Sequence, residues 1–202
     1  MALHLQPYAL YRSTIILIPQ SEHNIVISPL GNVDKKLIRP VVREVERVFG
    51  FKTVVTSLLK DVRFSLDPSR EQYNSTLILE KLEGIAPPGT FKLVAITDVD
   101  LFIPILTYVF GEAQLGGTSC VVSSHRLAEG ISPISLPEAF HHRVIKEAVH
   151  ELGHTFNLRH CPDNTCIMHY SRTVEDVDLK SKQFCRYCNV MFEDEKAKLN
   201  GL

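Results

Sequence analysis

The sequence has no excess of charge of one sign and no long hydrophobic run. Its 22 lysines and arginines are balanced by 23 aspartates and glutamates, which leaves a net charge of −1. Proteins that bind nucleic acid or an acidic membrane surface usually carry a basic excess, so we expect neither partner. Two short lysine-rich spots, residues 35–36 and 180–182, are predicted to lie on solvated helix faces. Every apolar stretch is far shorter than the roughly 18 residues of a membrane-spanning helix.

The sequence also lacks a recognisable targeting segment, an internal repeat and any low-complexity stretch. Its beginning, MALHLQPYALYRSTIILIP, has no charged region followed by a long apolar run, as a secretory signal would. We therefore expect a cytoplasmic protein, in which clustered cysteines bind metal more often than they form disulfides. With 202 residues, of which 45% are hydrophobic, the chain is long enough for one domain with a real core.

Apolar periodicity predicts alternating strands and helices in the first half of the chain. Asp34 could cap the first helix and Gly50 could end it, while Pro40 marks either its start or a kink. The order β-α-β-α-β predicts an α/β (α+β) fold whose sheet is largely parallel, with helices packed on it. The predicted strands are residues 14–19, 51–56 and 91–97, and the predicted helices are residues 33–49 and 70–82.

The second half is predicted to begin with strands and to end with helices. Residues 105–114 and 118–124 form two strands joined by a turn with Gly116 and Gly117, which is compatible with antiparallel pairing. A long helix over residues 137–157 follows, and further helices are predicted at 176–182 and 187–199 after an irregular stretch. The buried stripe of the long helix is expected to consist of Val144, Ala148, Leu152 and Phe156.

The motif HELGHTFNLRH predicts a catalytic zinc site. His150 and His154 are four residues apart, so their imidazoles project from one helix face and suit one zinc ion. His160 offers a third ligand and leaves the fourth position open, as in catalytic sites. Glu151 could take a proton from a zinc-bound water and pass it to the leaving amine. A chance HExxH on a helix is the alternative.

His160 can return to the metal only if the helix stops between it and His154. Residue 157 is where that turn belongs, and Asn157 is the residue type that best tolerates positive φ after glycine.

The same motif resembles the HExxHxxGxxH signature of the metzincin metallopeptidases and departs from it at Asn157, where the family has glycine. The resemblance implies that Met168 in CIMHY forms a Met-turn, a hydrophobic floor beneath the histidines. The alternative is a methionine that fills the core. Tyr170 matches the MHY of astacin-like metzincins, in which a tyrosine stabilises the oxyanion. A phenol beside the metal could donate such a hydrogen bond, and simple packing near the turn is the alternative.

Four of the five cysteines form two near pairs, which is the spacing of a closed structural zinc site. Two disulfides, or a thioredoxin-like CxxC, are the alternatives. The segment after the active-site helix has little apolar periodicity, so a metal crosslink could replace missing core there. It would also hold His160 and Met168 through their neighbours in the chain. The four residues are Cys161, Cys166, Cys185 and Cys188.

Together the histidine and cysteine patterns resemble the archaemetzincins, whose motif is HExxHxxGxxxCxxxxCxM followed by CxxC. This chain reads HELGHTFNLRHCPDNTCIM and then CRYC, after a gap one residue shorter. The resemblance covers residues 150–188 closely and the whole chain more weakly. It implies a compact single-domain metzincin fold over 1–202, with a mixed twisted sheet and an antiparallel edge strand. Residues 1–157 would end in the zinc helix, and 158–202 would carry the Met-turn and the cysteine site.

The resemblance also implies two zinc ions, one catalytic and one structural. We expect the catalytic zinc to be lost more readily, because its open site has one ligand fewer. Residues 108–114 (YVFGEAQ) resemble the metzincin edge strand, to which an extended peptide adds as a further strand. Gly111 and Ala113 would leave room for the peptide, and an ordinary sheet strand is the alternative. Glu112 could bind a substrate amine, which would favour aminopeptidase action.

The predicted function is therefore that of a monomeric zinc metallopeptidase acting on peptide or protein substrates. The alternative is a metal-binding regulatory or binding protein with little or no peptidase activity. Cys120 is expected to be a small core residue, and the histidines outside the motif are expected to lie at the surface or in local hydrogen bonds. They are His4, His23, His125, His141 and His142.

Overall fold

The computed structural model describes residues 23–131 and 136–200. Its strands and α-helices are, in chain order, β1 (Ile25–Pro29), α1 (Lys35–Phe49), β2 (Thr53–Val55), β3 (Leu66–Asp67), β4 (Gln72–Asn74), α2 (Ser75–Ile85), β5 (Lys92–Thr97), β6 (Leu101–Phe102), β7 (Gly111–Ala113), β8 (Ser119–Ser123), α3 (Leu136–Thr155), α4 (Val174–Leu179) and α5 (Arg186–Asn200). Among the described residues, no helix combines the length and the apolar character that crossing a membrane requires.

A five-stranded mixed sheet forms the centre of the molecule. The strand order is β2-β1-β5-β8-β7, in which the first four strands are parallel and β7 runs antiparallel to β8 at the edge. All residues of β5 and β8 are buried, as is typical of parallel strands covered on both faces. A second sheet has the order β3-β4-β6. This architecture confirms the predicted α/β class and the predicted antiparallel edge strand.

The first helix is bounded as its sequence predicts. The Asp34 side chain accepts the backbone N–H of Lys36 at 2.9 Å, and Gly50 ends the helix with φ of +72°. The helix continues through Pro40 and does not begin there.

The predicted strand at 14–19 lies outside the described residues and stays a prediction. Strand β1, which precedes α1, was not predicted. One prediction in the first half needs correction. The predicted helix at 70–82 begins only at Ser75. The residues before it pair with β6 as strand β4, and the Asn74 side chain then caps α2 by accepting the N–H groups of Thr76 and Leu77.

Helix α3 brings the long motif into the core. It packs against α1 and against strands β5, β7 and β8. Its predicted stripe is buried throughout, and the last residue of the stripe joins an aromatic cluster with α1 and α5. In this cluster the rings of Phe49, Phe156 and Phe192 lie 5.1 to 5.4 Å apart. Burial of each such side chain stabilises the fold by about 1.5–3 kcal/mol, so the end of α3 is firmly held.

Candidate active site

Three histidine side chains converge at the end of α3. Nε2 of His150 and Nε2 of His154 lie 3.2 Å apart. His160 is the third histidine, and one ring nitrogen from each of the three lies within 4.8 Å of the other two. Two nitrogens bound to one tetrahedral zinc at about 2.0–2.1 Å would lie roughly 3.3–3.4 Å apart. The spacing therefore fits a single zinc ion on the predicted residues.

The turn that returns His160 to the other two histidines occurs at the predicted residue. Helix α3 ends at Thr155, and Asn157 adopts φ of +64°. The backbone N–H groups of Asn157 and Leu158 donate to the carbonyls of His154 and Gly153, which satisfies the end of the helix. The chain can then reverse, and the His160 ring stacks on the His150 ring at 5.3 Å.

Backbone carbonyls orient the first two imidazoles. Nδ1 of His150 lies 2.8 Å from the carbonyl oxygen of Ile167, and Nδ1 of His154 lies 2.7 Å from that of Leu158. Because a carbonyl can only accept, each Nδ1 carries the hydrogen and donates it. Each Nε2 is then left with a free lone pair, which is the form that binds a metal.

Burial keeps these imidazoles neutral. It lowers the pKa of His150 well below the ordinary value and also lowers the pKa of His154. Burial, with the charge of neighbouring histidines as a further cause, lowers the pKa of His160 to about 4. Neutral imidazole is the ligand form, so the site is ready to accept a cation near neutral pH.

Met168 lies directly beneath the helix that carries the motif. It is fully buried, and a Cβ placed on Gly153 would lie 2.6 Å from its Sδ. The glycine of HELGH is therefore the position at which the methionine approaches the helix backbone.

Glu151 passes close to the edge strand. Its side chain is buried, and a Cβ placed on Gly111 of β7 would lie 2.6 Å from its Cγ. Burial raises the pKa of Glu151 well above the ordinary carboxyl value. Glycine at the edge strand thus makes room for the carboxylate that follows the first histidine.

The expectation that Glu112 binds a substrate amine is wrong. Its carboxylate points towards the start of α2, where it accepts hydrogen bonds from the hydroxyls of Ser75 and Thr76. The side chain therefore does not reach the cleft, because alternate residues of a strand face opposite sides. Glu112 therefore gives no support for aminopeptidase action.

A cleft of about 870 Å³ opens in front of the histidines. Tyr170 lines it, with a ring centroid 5.0 Å from that of His160 and with 40% of the residue exposed. The hydroxyl of Tyr108 donates to the carbonyl of Arg172 at 2.7 Å, which joins two segments that line the cleft. The volume lies within the range of about 300–1,000 Å³ that ligand sites usually have. Other lining residues are Ile103, Leu106, Phe110, Leu115, Glu147 and Arg159.

The four clustered cysteines converge at a second point. Their sulfur atoms all lie within 4.8 Å of one another, and Sγ of Cys161 is 3.8 Å from Sγ of Cys185. Four sulfurs around a zinc ion at about 2.3 Å would be separated by roughly 3.8 Å. None of the four is in a disulfide, so the two-disulfide alternative is not what the structure contains.

The surroundings of these thiols suit a bound cation. Backbone N–H groups of Cys185 and Cys188 donate to the sulfurs of Cys166 and Cys185 at 3.3 and 3.5 Å. Burial raises the pKa of Cys166 to about 11, so the isolated thiol holds its proton at neutral pH. A metal ion would displace that proton and compensate the buried charge. Cys120 is separate and buried in β8, as expected for a core residue.

One stretch of backbone connects the two clusters. The N–H of Cys161 donates to the carbonyl of Met168 at 2.9 Å. Ile167, whose carbonyl orients His150, directly follows Cys166. Among the described residues, no other histidine joins a metal-binding group.

Sequence reasoning missed a buried ion pair beside the site. Lys180, predicted on a solvated helix face, has a side chain that is 0% exposed and donates to Glu147 of α3 at 2.7 Å. The position of Glu147, one turn before Glu151, is a signal that could have identified the acid. Nothing in the local sequence identifies the lysine, because its partner is distant in the chain.

Comparison with known proteins gives a consistent result. Residues 51–194 match peptidase family M54. The chain is 33% identical to the archaemetzincin of Methanocaldococcus jannaschii over 173 residues, which is 84% of this chain and 93% of that protein. It is 38% identical to that of Archaeoglobus fulgidus over 81% of this chain and 95% of the relative. The crystal structure of archaemetzincin from Methanopyrus kandleri superposes with a TM-score of 0.78 at 31% identity, covering 90% of this chain and 99% of that one.

Proposed function

This chain belongs to peptidase family M54, the archaemetzincins, and on that premise we propose that it cleaves peptide bonds as a metzincin-type peptidase with Glu151 as general base and acid. Family membership makes the chain a zinc metallopeptidase. The observation that carries the residue assignment is the convergence of three neutral imidazoles beside one buried carboxylate at the foot of a cleft.

The donor set fits zinc held by His150, His154 and His160. When bound there, zinc would supply a Lewis acid that lowers the pKa of a water molecule in its open position towards roughly 7. The remaining chemistry falls to the residues of the chain.

Glu151 is proposed to move the proton. It follows the first histidine on α3 and lines the same cleft. Burial, with the nearby charge of Glu147, raises its pKa, and the Lys180 ammonium opposes that shift. A carboxyl group whose pKa is raised can accept a proton from the attacking water and return it to the leaving amine.

Tyr170 is proposed to stabilise charge that develops on the substrate. Its ring neighbours His160 and its side chain is partly exposed in the cleft, so the hydroxyl is accessible to a bound peptide. A phenol hydroxyl at such a position can donate to the oxygen of the tetrahedral intermediate.

The substrate is proposed to bind along β7. This strand is at the edge of the sheet, and no strand within the described ranges pairs with its outer side. An extended peptide can add there through backbone hydrogen bonds, which hold the chain without reading its side chains. Gly111 allows strand β7 to approach Glu151 closely, which supports a scissile bond at that level of the strand.

The cysteine cluster is proposed to hold a second, structural zinc. The sulfur separations and the N–H groups aimed at sulfur support it. Such a site requires reduced thiols, so a reducing compartment, the cytoplasm, belongs to the same proposal.

The test combines zinc analysis by mass spectrometry with cleavage of a peptide library. We expect two zincs per chain in the wild type and one in His154→Ala. Glu151→Gln should keep both zincs while cleavage falls by about 10²- to 10⁴-fold. Glu112→Gln is the matched control, because it changes a carboxylate of β7 that faces away from the cleft and should leave cleavage intact.

Two zincs without cleavage of any peptide would favour the alternative of a metal-binding regulatory or binding protein. Fewer than two zincs in the wild type would contradict the metal assignment.

A further inference from the structure

Lys180 is a fully buried lysine beside the active-site helix. Its ammonium donates to Glu147 Oε1 at 2.7 Å and to the backbone carbonyl of His169 at 3.3 Å. The Glu147 side chain is itself only 3% exposed, so both charges are out of water. A buried ammonium is strongly unfavourable unless an opposite charge compensates it. Glu147 provides that charge.

The ammonium has a structural task in this position. The carbonyl that it binds belongs to the residue between Met168 and Tyr170. Lys180 directly follows α4, and Glu147 lies on α3. The lysine therefore ties the segment under the histidines to two helices at once, which a neutral apolar side chain could not do.

The carboxylate that pairs with this ammonium lies on the histidine-bearing face of α3. Glu147 precedes His150 by three positions and Glu151 by four, so the three side chains share one face of α3. The side chain of Glu147 lines the cleft with the three site histidines.

A cation at this place opposes the binding of a divalent metal. Three neutral imidazoles contribute no negative charge, so fixed charges nearby set the electrostatic environment of the ion. An unpaired ammonium would repel the ion through a medium that screens poorly. Paired with a carboxylate at 2.7 Å, the same ammonium presents almost no net charge.

We propose that Glu147 is a positioning residue that shields the histidine site from Lys180, so that the lysine can anchor the Met168–Tyr170 segment without weakening metal binding. The proposal rests on the proposed function, because it assumes that the three histidines hold zinc.

The test measures the zinc affinity of the histidine site in the full chain. The more weakly held zinc is removed with a chelator, zinc analysis confirms that the other remains, and Zn²⁺ is added back in competition with a chromophoric chelator. In Glu147→Gln the ammonium is unpaired, and we expect the affinity to fall by about tenfold or more. In Lys180→Met the carboxylate is unpaired and attracts the ion, so the affinity should stay or rise. The double variant should lie within about threefold of the wild type.

A lower affinity in Glu147→Gln without a lower affinity in Lys180→Met is the signature of charge, because loss of structure alone would weaken both. Equal weakening in both, or no change in Glu147→Gln, would overturn the proposal. If Glu147→Gln does not fold, Lys180→Met is compared with the double variant, since these differ only in the charge of residue 147. The affinity must then be lower in the double variant.

The ion pair of Arg143 and Asp178 is the matched control. It joins the same two segments at 2.6 Å, but Arg143 lies one helical turn before Glu147 and about 10 Å before His150 along α3. Asp178→Asn should reduce stability and leave the zinc affinity unchanged. A wild-type protein that takes up no zinc at the histidines would overturn both this proposal and the proposed function, whereas zinc binding that ignores residue 147 would overturn this proposal alone.

Discussion

Two glycines at the site have no room for a side chain, and both contact a residue of the motif region. Gly153 of α3 lies against Met168, and Gly111 of β7 lies against Glu151. In each case a Cβ would fall within 2.6 Å of a neighbouring side-chain atom. Close packing of the interior makes such contacts sensitive to a single methyl group. The packing of the site therefore depends on the absence of a side chain at these two glycines.

Gly153→Ala is expected to destabilise the protein by about 1–3 kcal/mol, because the added methyl group overlaps the buried Met168 side chain. Methionine is flexible, so part of the overlap is relieved by movement of its side chain. Chemical denaturation of the zinc-loaded protein measures the change.

Gly84→Ala is the matched control for Gly153→Ala. Gly84 also lies within a helix, but a Cβ there would meet nothing within 4 Å. Since alanine is the better helix former, this variant should gain about 0.5–1 kcal/mol. Similar effects of the two substitutions would show that contact with Met168 does not cause the destabilisation in Gly153→Ala.

The end of α3 is the element on which the third histidine depends. The helix stops at Thr155, Asn157 takes positive φ, and the chain reverses towards His160. The family motif has glycine at this position, and asparagine performs the same task at a higher conformational cost.

Asn157→Gly is therefore expected to keep zinc binding and to leave stability unchanged or slightly higher. Asn157→Ala should lose about 1–2 kcal/mol, because alanine adopts positive φ with more difficulty than either residue. Thermal unfolding measures the stability of the two variants, and zinc analysis of the same samples measures their zinc content. Equal stability of the alanine and glycine variants would argue against the backbone conformation as the cause.

Across the whole molecule, the two clusters are expected to be coupled. Backbone between the cysteines also carries Ile167, whose carbonyl orients His150, and Met168. Loss of the cysteine site should loosen this backbone and so disturb the histidine site, while loss of zinc from the histidines leaves the cysteines in place.

Cys185→Ser/Cys188→Ser is expected to abolish one zinc site and to weaken zinc binding at the histidines by about tenfold or more, as changes around metal ligands typically do. His154→Ala should retain the other zinc. Chelator titration with zinc analysis measures the zinc content and the zinc affinity of both variants. Cys120→Ser is the control, since it removes a buried thiol that belongs to no cluster. Undiminished affinity at the histidines of the double variant would show that the two sites are independent.

Short-range pattern alone was enough to identify the candidate ligands. The four-residue spacing of His150 and His154 follows from helix geometry, and the turn at Asn157 follows from the φ preference of one residue. The α/β fold class, the antiparallel edge strand and the buried stripe of α3 were also predictable. They follow from apolar periodicity and from the order of strands and helices, which depend on neighbours in the chain.

Only the tertiary structure decided which way several side chains face and what they meet. Glu112 turns to α2, and Lys180 is buried against Glu147. The contact partners are about 33 to 37 residues apart for the two polar pairs, so no local spacing encodes them. The sequence by itself determined the candidate metal-binding residues, since their spacing is a property of one helix and two short motifs. The fold determined their electrostatic surroundings, since these come from segments that meet only when the core is packed.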